Sequence, residues 1–294
     1  MDSTTTTVKS ADWTYFPEYK RYMKETAQNI RWKCRFEDPP YDPYLIAEKM
    51  GVRVREEPLS GVDGYVQAVG KGWEAVVSMV PQEERRRFTL AHELGHVVLL
   101  KAADAGYARS LMRFRVVGFR PELHQDPMEE ALCNAFASEL LVPSDDINKR
   151  LSDGLKLPRD IPRLASEFHI SLHAAATAVV NLLGPKRTAL SLWRKDSLWP
   201  LPVWWVGVKT KRRAERSKLE SLVGKLVGKR DQVTCQWDSF NVRKRPASIR
   251  VAPISRKLAL VYVTLAAGRN ERWQRTLSPL RPKDTATQLT LFEE

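Results

Sequence analysis

Apolar residues recur at helical spacing through much of the first 185 residues of the chain. Leu132, Phe136 and Leu140 are four residues apart, and Pro143 ends the pattern, as proline ends helices. Asp42 before a proline is typical of the start of a helix. We predict helices over residues 17–31, 43–50, 87–100, 128–142 and 144–151, and then a helix, a tight turn and a second helix between residues 161 and 183.

Strand-like runs occupy two further regions of the chain. Three short runs separated by glycine-bearing turns, at residues 52–56, 64–69 and 73–79, predict a small sheet that leads into the helix over residues 87–100. The C-terminal third predicts a second sheet with one amphipathic helix over residues 219–227. Together the two regions predict an α+β fold. The strands of the C-terminal third are predicted at residues 188–193, 203–210, 233–237, 247–251 and 257–265.

The positive charge of the chain is concentrated in its C-terminal third. Residues 186–294 contain 24 lysines and arginines against 9 acidic residues, a net charge of +15, whereas residues 1–185 contain 24 against 26, a net charge of −2. This shift, together with the Gly-Pro-Lys-Arg stretch at 184–187, predicts a domain boundary near residue 185. A basic surface often binds nucleic acid, so nucleic acid is a candidate partner here. A solvated basic face without a ligand is the alternative.

The length and composition are sufficient for more than one domain. A chain of 294 residues with 43% hydrophobic residues can form two domains that each bury a core. The Asp-Pro-Pro sequence at residues 38–40 breaks the chain before the first capped helix. We predict an N-terminal extension over residues 1–40, a domain over 41–143, a helical unit over 144–185 and a basic α+β domain over 186–294.

Cysteine usage and hydropathy predict a soluble cytoplasmic protein. Cys34, Cys133 and Cys235 lie far apart and are odd in number, so neither a disulfide framework nor a cysteine-type zinc cluster is predicted. The N-terminus lacks a basic segment followed by an apolar one, the pattern of a secretion signal. No run approaches the roughly 18 apolar residues of a membrane-spanning helix, so we expect no membrane partner.

A metal-binding pattern lies within residues 87–100, where His92 and His96 enclose the sequence Glu-Leu-Gly. Four residues of helix turn through about 400°, so the two histidines lie on one face and can reach one metal ion. Glu93 then lies beside the open position at which a water would bind. The metal lowers the pKa of that water, and Glu93 can take its proton and pass it to a leaving amine. A buried helix with two incidental histidines is the alternative.

A third ligand is available in the helix predicted over residues 128–142. Glu130 and Asn134 are four residues apart and share a face. Glu130 can therefore bind the metal while Asn134 accepts a hydrogen bond from the far nitrogen of a ligand histidine. Glu129 points about 100° away from that face. We interpret Glu129 as a negative charge favoured in the first turn of a helix, which is also the alternative for Glu130.

The two motifs in this order resemble those of the ImmA/IrrE-type metallopeptidases of bacteria and their mobile elements. The resemblance rests on residues 87–96 and 130–143 and extends more loosely from about residue 40 to residue 185. It implies a zincin-like fold of the gluzincin arrangement, in which a downstream helix supplies a glutamate ligand. The zinc ligands that it implies are His92, His96 and Glu130, with Glu93 as the general base.

The resemblance also implies a substrate. Enzymes of this family cleave a partner helix-turn-helix repressor and so switch on the genes that it silences, which implies activation of stress-response or mobile-element genes. Zinc is the expected ion, and manganese is the alternative. Some relatives carry a sensor-like domain of the GAF type at the position of residues 186–294. Whether these residues form such a domain stays open at the level of sequence.

Further residues are candidates for substrate binding and catalysis. The run Trp73–Met79 is a candidate edge strand, at which a substrate could be held as an added strand through main-chain hydrogen bonds. His124, six residues before Glu130, could stabilise the oxyanion that forms at the scissile carbonyl, and so could Tyr107. The alternative for His124 is a surface histidine in a loop.

The helix-turn-helix pattern between residues 161 and 183 does not favour DNA reading. Ser171 is a suitable N-cap for the second helix, but residues 173–183 contain neither lysine nor arginine, and only His173 and Asn181 could contact phosphates or bases. We therefore predict a packing or protein-contact role for this helix. His169 and His173 straddle the predicted turn without a carboxylate between them, so no second metal site is predicted there.

The leading functional hypothesis is a zinc-dependent endopeptidase over the first 185 residues, with a basic domain that regulates or targets it. Its protein substrate would be a helix-turn-helix repressor. The alternative hypothesis is a nucleic-acid-binding regulator or defence component, in which the peptidase fold serves as a binding module and the basic domain anchors nucleic acid.

Overall fold

The computed structural model describes residues 16–104, 126–195, 200–207, 217, 219–221, 223, 233–240, 245–255 and 257–265. The chain divides into two compact units, the first ending at Pro143 and the second beginning at Ser144. Among the described residues, no helix combines the length and apolar character that crossing a membrane requires. The mixture of helices and small sheets confirms the predicted α+β class.

In its described part, the first unit contains four helices and one three-stranded sheet. The β3 strand lies at the centre of the sheet, parallel to β1 and antiparallel to β2. The helices are α1 (Phe16–Lys33), α2 (Pro43–Lys49), α3 (Glu83–Asp104) and α4 (Pro127–Leu141), and the strands are β1 (Val52–Glu57), β2 (Gly64–Val69) and β3 (Gly72–Ser78).

The strand order corrects one prediction. The run Trp73–Met79 does not form an edge, because β3 is hydrogen-bonded to a neighbour on both sides. Residues 74–78 of β3 are all buried, as expected for a strand covered on both faces. In the described part of the chain, β1 and β2 are the strands that pair on one side only.

Capping side chains determine where several helices begin. Asp42 accepts a hydrogen bond from the backbone N–H of Tyr44 at the start of α2, with Pro43 at the first helical position. Asp126 caps α4 in the same way by accepting from the backbone N–H of Met128. These local interactions set the starting residue of each helix, and for α2 the sequence pattern predicted it correctly.

The α3 helix is the centre of the first unit, because the sheet packs against it and α4 packs alongside it. Leu90, Leu94 and Val97 are fully buried and anchor the helix. Gly95 lies at the contact with α4: a Cβ atom there would lie 3.1 Å from the Cα of Cys133 and 3.3 Å from a ring carbon of Phe136. The absence of a side chain therefore allows the two helices to approach closely.

The α1 helix is an integral part of the first unit and packs against α4. Met23, Ala27 and Ile30 are fully buried on its inner face. Glu139 of α4 is also buried, and its carboxylate accepts hydrogen bonds from the Nζ of Lys24 at 3.0 Å and from the side-chain amide of Gln28 at 3.1 Å. Arg31 donates to the Glu139 carbonyl oxygen.

The second unit contains three described helices and an antiparallel five-stranded sheet with the order β5-β4-β8-β7-β6. Leu219 and Val223 belong to the predicted amphipathic helix and are buried in the core under this sheet. The helices are α5 (Ser144–Ser152), α6 (Ile161–Phe168) and α7 (Leu172–Leu183), and the strands are β4 (Thr188–Lys195), β5 (Pro200–Gly207), β6 (Val233–Phe240), β7 (Arg245–Pro253) and β8 (Leu258–Leu265).

The α7 helix, the second helix of the helix-turn-helix pattern, packs against β4 and β5. Ser171 caps it by accepting a hydrogen bond from the backbone N–H of Ala174. Ala176 and Val180 are fully buried, and the imidazole of His173 makes an edge contact with the ring of Trp204, with centroids 5.4 Å apart. A helix engaged in this way serves packing within the second unit.

The bounds of β5 differ from the predicted run at residues 203–210. The strand begins at Pro200 and includes Pro202, although proline lacks the N–H that a sheet ladder requires. β5 lies at the edge of the sheet and pairs with β4 alone among the described strands. An edge strand tolerates proline because its outward N–H groups have no strand to bind.

Replacing Glu139 by Gln should destabilise the first unit by about 1–3 kcal/mol, because a buried carboxylate that accepts from Lys24 and Gln28 loses its charge-assisted hydrogen bonds. The free energy of unfolding should be measured by urea denaturation. Glu25→Gln is the matched control, since the side chain of Glu25 is 61% exposed and pairs with Arg21 within α1. This substitution should change the free energy of unfolding by no more than about 0.5 kcal/mol. Equal stabilities of the two variants would contradict the role of Glu139.

Candidate metal centre

The α3 helix brings two imidazoles to one point. His92 and His96 are one turn apart, and their Nε2 atoms lie 3.1 Å from each other. Leu94 and Val98, on other faces of the helix, are buried in the core and fix its rotation. Because both Nε2 atoms face the same point, the two side chains present a pair of nitrogen donors to a single ion.

The α4 helix adds a carboxylate to this pair. One oxygen of Glu130 lies 3.2 Å from Nε2 of His92, and the other lies 3.5 Å from Nε2 of His96. A tetrahedral zinc ion with bonds of about 2.0–2.1 Å would place neighbouring ligand atoms about 3.3 Å apart. The 3.1 Å between the two Nε2 atoms and the 3.2 Å between His92 Nε2 and one Glu130 oxygen are close to this value. The second Glu130 oxygen lies 3.5 Å from His96 Nε2, so the carboxylate lies within reach of an ion shared with both imidazoles.

The far nitrogen of each histidine contacts an acceptor on α4. Nδ1 of His92 lies 3.1 Å from the side-chain oxygen of Asn134, and Nδ1 of His96 lies 2.7 Å from a carboxylate oxygen of Glu129. Oxygen acceptors at these distances require the proton on Nδ1, so each Nε2 keeps its lone pair for a metal. The neutral tautomer that metal binding needs is thus fixed by α4.

Glu129 is a site residue that the sequence analysis missed. It was interpreted there as a charge in the first helical turn, because it points away from the Glu130 and Asn134 face. α3 and α4 run antiparallel at the site, so the later histidine, His96, meets the earlier part of α4. An antiparallel arrangement of the two helices is the signal that would have identified Glu129.

Cys133 lies within the same cluster. Its sulfur and one nitrogen from each of His92 and His96 are all within 4.8 Å of one another, and Cys133 is fully buried. The cysteine count gave no reason to expect a thiol here, because the pattern of a cysteine-type zinc site was absent. The structure thus offers two candidates for the third donor, a carboxylate and a thiol.

The electrostatic environment of the cluster favours a cation. Burial of His92 disfavours its protonated form, but the hydrogen bond that the protonated imidazole donates to Glu130 and the negative charges of Glu93 and Glu130 outweigh burial and raise the pKa of His92 above its ordinary value. The same negative surroundings that stabilise a proton on an imidazole also stabilise a bound metal ion. The donor set and its charge therefore fit a divalent cation.

Glu93 projects from α3 towards the beginning of β2 and is buried. A Cβ atom built on Gly64 would lie 3.2 Å from its carboxylate oxygen Oε1. β2 therefore begins beside Glu93. In the described part of the chain, β2 pairs with another strand on one side only, whereas β3 pairs on both sides. The two candidate oxyanion stabilisers, His124 and Tyr107, lie outside the described residues.

Comparison with known families gives a match that contains all of these site residues. The family model of the IrrE N-terminal-like domain, Peptidase_M78, matches residues 47–179. The family model supports a zincin-like fold for this part of the chain. The name of the two relatives described next refers to a metal ion without stating its kind.

Two relatives carry the name radiation response metalloprotease IrrE. That of Deinococcus radiodurans is 30% identical over 137 residues, which are 47% of this chain and 39% of the relative. That of Deinococcus deserti is 31% identical over 105 residues, which are 35% of this chain and 34% of the relative. The chain thus spans less than half the length of these two curated relatives.

One solved structure, a transcriptional regulator of Mycobacterium tuberculosis, is similar over most of the chain. The similarity has a TM-score of 0.52 and covers 85% of this chain and 91% of that chain, at 11% sequence identity. At this identity the likeness concerns the fold alone.

Removal of the Glu129 carboxylate should weaken metal binding by about 10- to 100-fold, because His96 loses the acceptor that orients it and holds its proton on Nδ1. Glu129→Ala should be compared with the wild type by titrating zinc against a chromogenic chelator. Glu84→Ala is the matched control, since Glu84 is an exposed acidic residue in the first turn of α3. An affinity of Glu129→Ala equal to that of the control would show that this contact does not support the metal.

Proposed function

We propose, from the match of residues 47–179 to the IrrE N-terminal-like family model, that the chain is a zinc-dependent endopeptidase of the ImmA/IrrE type. The observation that carries the proposal is the convergence of three donor side chains, those of His92, His96 and Glu130, next to Glu93 on α3. Nitrogen and carboxylate donors in this ratio are typical of zinc hydrolases that keep one coordination position open for the reaction.

Glu130 is the proposed third ligand in preference to Cys133. One oxygen of Glu130 lies 3.2 Å from Nε2 of His92 and the other 3.5 Å from Nε2 of His96, whereas the Cys133 sulfur belongs to a set of atoms that lie within 4.8 Å of one another. A metal ion bound by a carboxylate is also a stronger Lewis acid than one bound by a thiolate, because the carboxylate donates less charge to the ion. Zinc rather than manganese is proposed because two imidazoles suit zinc.

When bound, the metal ion supplies a Lewis acid that polarises the scissile carbonyl and lowers the pKa of a water. The residues of this chain transfer the proton and orient the ligands. Glu93 takes a proton from the water that attacks the carbonyl carbon and then delivers it to the leaving amine as the C–N bond breaks. Asn134 and Glu129 hold the two imidazoles in one orientation throughout.

The unpaired side of β2 is the proposed docking edge for the substrate. An extended peptide can add to this edge through main-chain hydrogen bonds, and the strand begins next to Glu93. The substrate therefore has to present an extended segment at the scissile bond, which requires a loop, a linker or local unfolding of a folded protein.

We propose a helix-turn-helix repressor as the protein substrate, as the family resemblance implies, with activation of stress-response genes as the outcome. The relatives' name, radiation response metalloprotease, supports a stress role. Residues 186–294, which contain the antiparallel five-stranded sheet, are the proposed regulatory or targeting domain, with a GAF-like domain as the candidate. Its basic residues keep nucleic acid as a proposed partner, although the burial of α7 argues against DNA reading by that helix.

Glu93→Gln should retain zinc with little change in affinity and reduce cleavage by at least about 100-fold, because the amide has the shape of the carboxylate but cannot accept the proton. The variant should be expressed in the native host and recovered by affinity, so that an uncut substrate is captured with it. Recovery of a helix-turn-helix protein that the wild type cuts supports the proposal. Full cleavage by the variant would exclude this role for Glu93, and capture of nucleic acid alone would favour the binding-module alternative.

Glu130→Gln should weaken zinc binding by about 10-fold or more, because the site loses a charged ligand. Cys133→Ala is the matched comparison from the same turn of α4, and its zinc affinity should stay within about threefold of the wild type, since the thiol is not a proposed ligand. Equilibrium competition with a chelator measures both affinities. The opposite order of the two effects would identify Cys133 as the third ligand.

A further inference from the structure

We propose that Gly64 is a positioning residue for Glu93, because its lack of a side chain allows the first residue of β2 to lie directly against the carboxylate. This inference rests on the proposed peptidase function and adds a determinant outside both metal-binding helices. It concerns the distance between β2, the proposed docking edge, and the Glu93 carboxylate, the proposed general base.

The register of the sheet places residue 64 on the side that faces α3. Gly64 pairs with Val77, and two residues further along β2, Val66 pairs with Ala75. Val66, Ala75 and Val77 are all buried, and α3 contacts both β2 and β3. Alternate residues of a strand share a face, so a side chain at residue 64 would project towards α3.

No space exists for such a side chain. A Cβ atom on Gly64 would lie 2.7 Å from the Thr89 methyl group, 3.0 Å from the Val76 carbonyl oxygen and 3.2 Å from Glu93 Oε1. The Val76 oxygen belongs to the backbone of the central strand, and Thr89 is only 8% exposed on the rigid core helix. The Glu93 carboxylate is the end of a longer side chain and is the group that can yield by rotation.

Backbone conformation does not explain the glycine. The φ angle of Gly64 lies outside the left-handed region, so any residue could adopt it. Gly51, Gly61 and Gly70 show the opposite case, with positive φ angles and no atom within 4 Å of a built Cβ. Among these strand and turn glycines, Gly64 is required by the close approach of α3 and its two side chains.

The consequence is specific to the proton-transfer step. A methyl group at residue 64 displaces the carboxylate or lifts the beginning of β2, and either movement separates Glu93 from a carbonyl held at that edge. General-base catalysis depends steeply on this separation, since a misplacement of about 1 Å can cost up to about 100-fold in rate. The rest of the β2 edge keeps its hydrogen-bonding groups, so substrate affinity should change little.

The test compares Gly64→Ala with Gly72→Ala, using the zinc-loaded full chain and the protein captured by Glu93→Gln as substrate. Gly72 begins the neighbouring strand, and a Cβ there would meet a single atom at 3.9 Å, so the substitution is sterically neutral. Gly64→Ala should lower kcat by about 10- to 100-fold with KM within about threefold and with unchanged zinc content. Gly72→Ala should behave as the wild type. Equal kcat values for the two variants would overturn the inference.

A second variant separates positioning of Glu93 from general disruption. Gly64→Ala combined with Thr89→Ser removes the methyl group that lies 2.7 Å from the new Cβ but leaves the 3.2 Å contact with Glu93. The double variant should recover the Tm lost by Gly64→Ala and keep the low kcat. Recovery of kcat together with Tm would assign the effect to Thr89 and overturn the proposal.

Binding of a peptide hydroxamate to the zinc-loaded protein provides a readout that does not require cleavage. If the wild type binds zinc but cuts no captured protein, the proposed function fails, while the positioning inference can still be judged. Gly64→Ala should then bind the hydroxamate about 10-fold more weakly than Gly72→Ala, because the hydroxamate would hydrogen-bond to the Glu93 carboxylate, which the methyl group at residue 64 displaces. Equal affinities would overturn the inference independently of the function.

Discussion

The close antiparallel packing of α3 against α4 is the contact on which the site depends. His92 and His96 come from one helix and Glu130, Asn134 and Glu129 from the other, so the donor separations of 3.1–3.5 Å are set by the distance between two helix axes. Gly95 allows that distance, because a Cβ there would lie 3.1 Å from the Cα of Cys133. Metal ligands tolerate deviations of only a few tenths of an ångström, so the packing of α3 against α4 would determine how accurately the candidate metal centre holds an ion.

α3 is approached closely on two sides, and a glycine marks each approach. Gly95 faces α4 and supports the ligands, whereas Gly64 faces α3 from β2 and borders the Glu93 carboxylate. Neither glycine has a positive φ angle, so both are needed for space and not for a turn. α3 is thus held between α4, which carries the candidate ligand Glu130, and β2, the proposed docking edge, and a glycine stands at each of the two contacts.

Local patterns predicted much of this structure, and non-local contacts account for the rest. The start of α2 follows from the short-range chemistry of Asp42 and Pro43, and the shared face of His92 and His96 follows from helical periodicity alone. The prediction that β3 lies at an edge was wrong, because the pattern of apolar residues indicates which face of a strand is buried and does not indicate which strands lie beside it. Glu129 was missed for a related reason. Its partner, His96, lies 33 residues away on α3, and the sequence pattern does not indicate whether α3 and α4 run parallel or antiparallel.

The contact between α1 and Glu139 has a consequence for how this domain can be divided. The region that matches the family model begins at residue 47, yet the carboxylate of Glu139 within it is served by Lys24 and Gln28 from outside it. At its other end the match stops at residue 179, inside α7, which is packed against β4 and β5. A fragment cut at those limits would therefore leave the buried Glu139 carboxylate without Lys24 and Gln28 and would leave the apolar face of α7 without the sheet that covers it. The limits of family similarity thus differ from the limits of the packed structure.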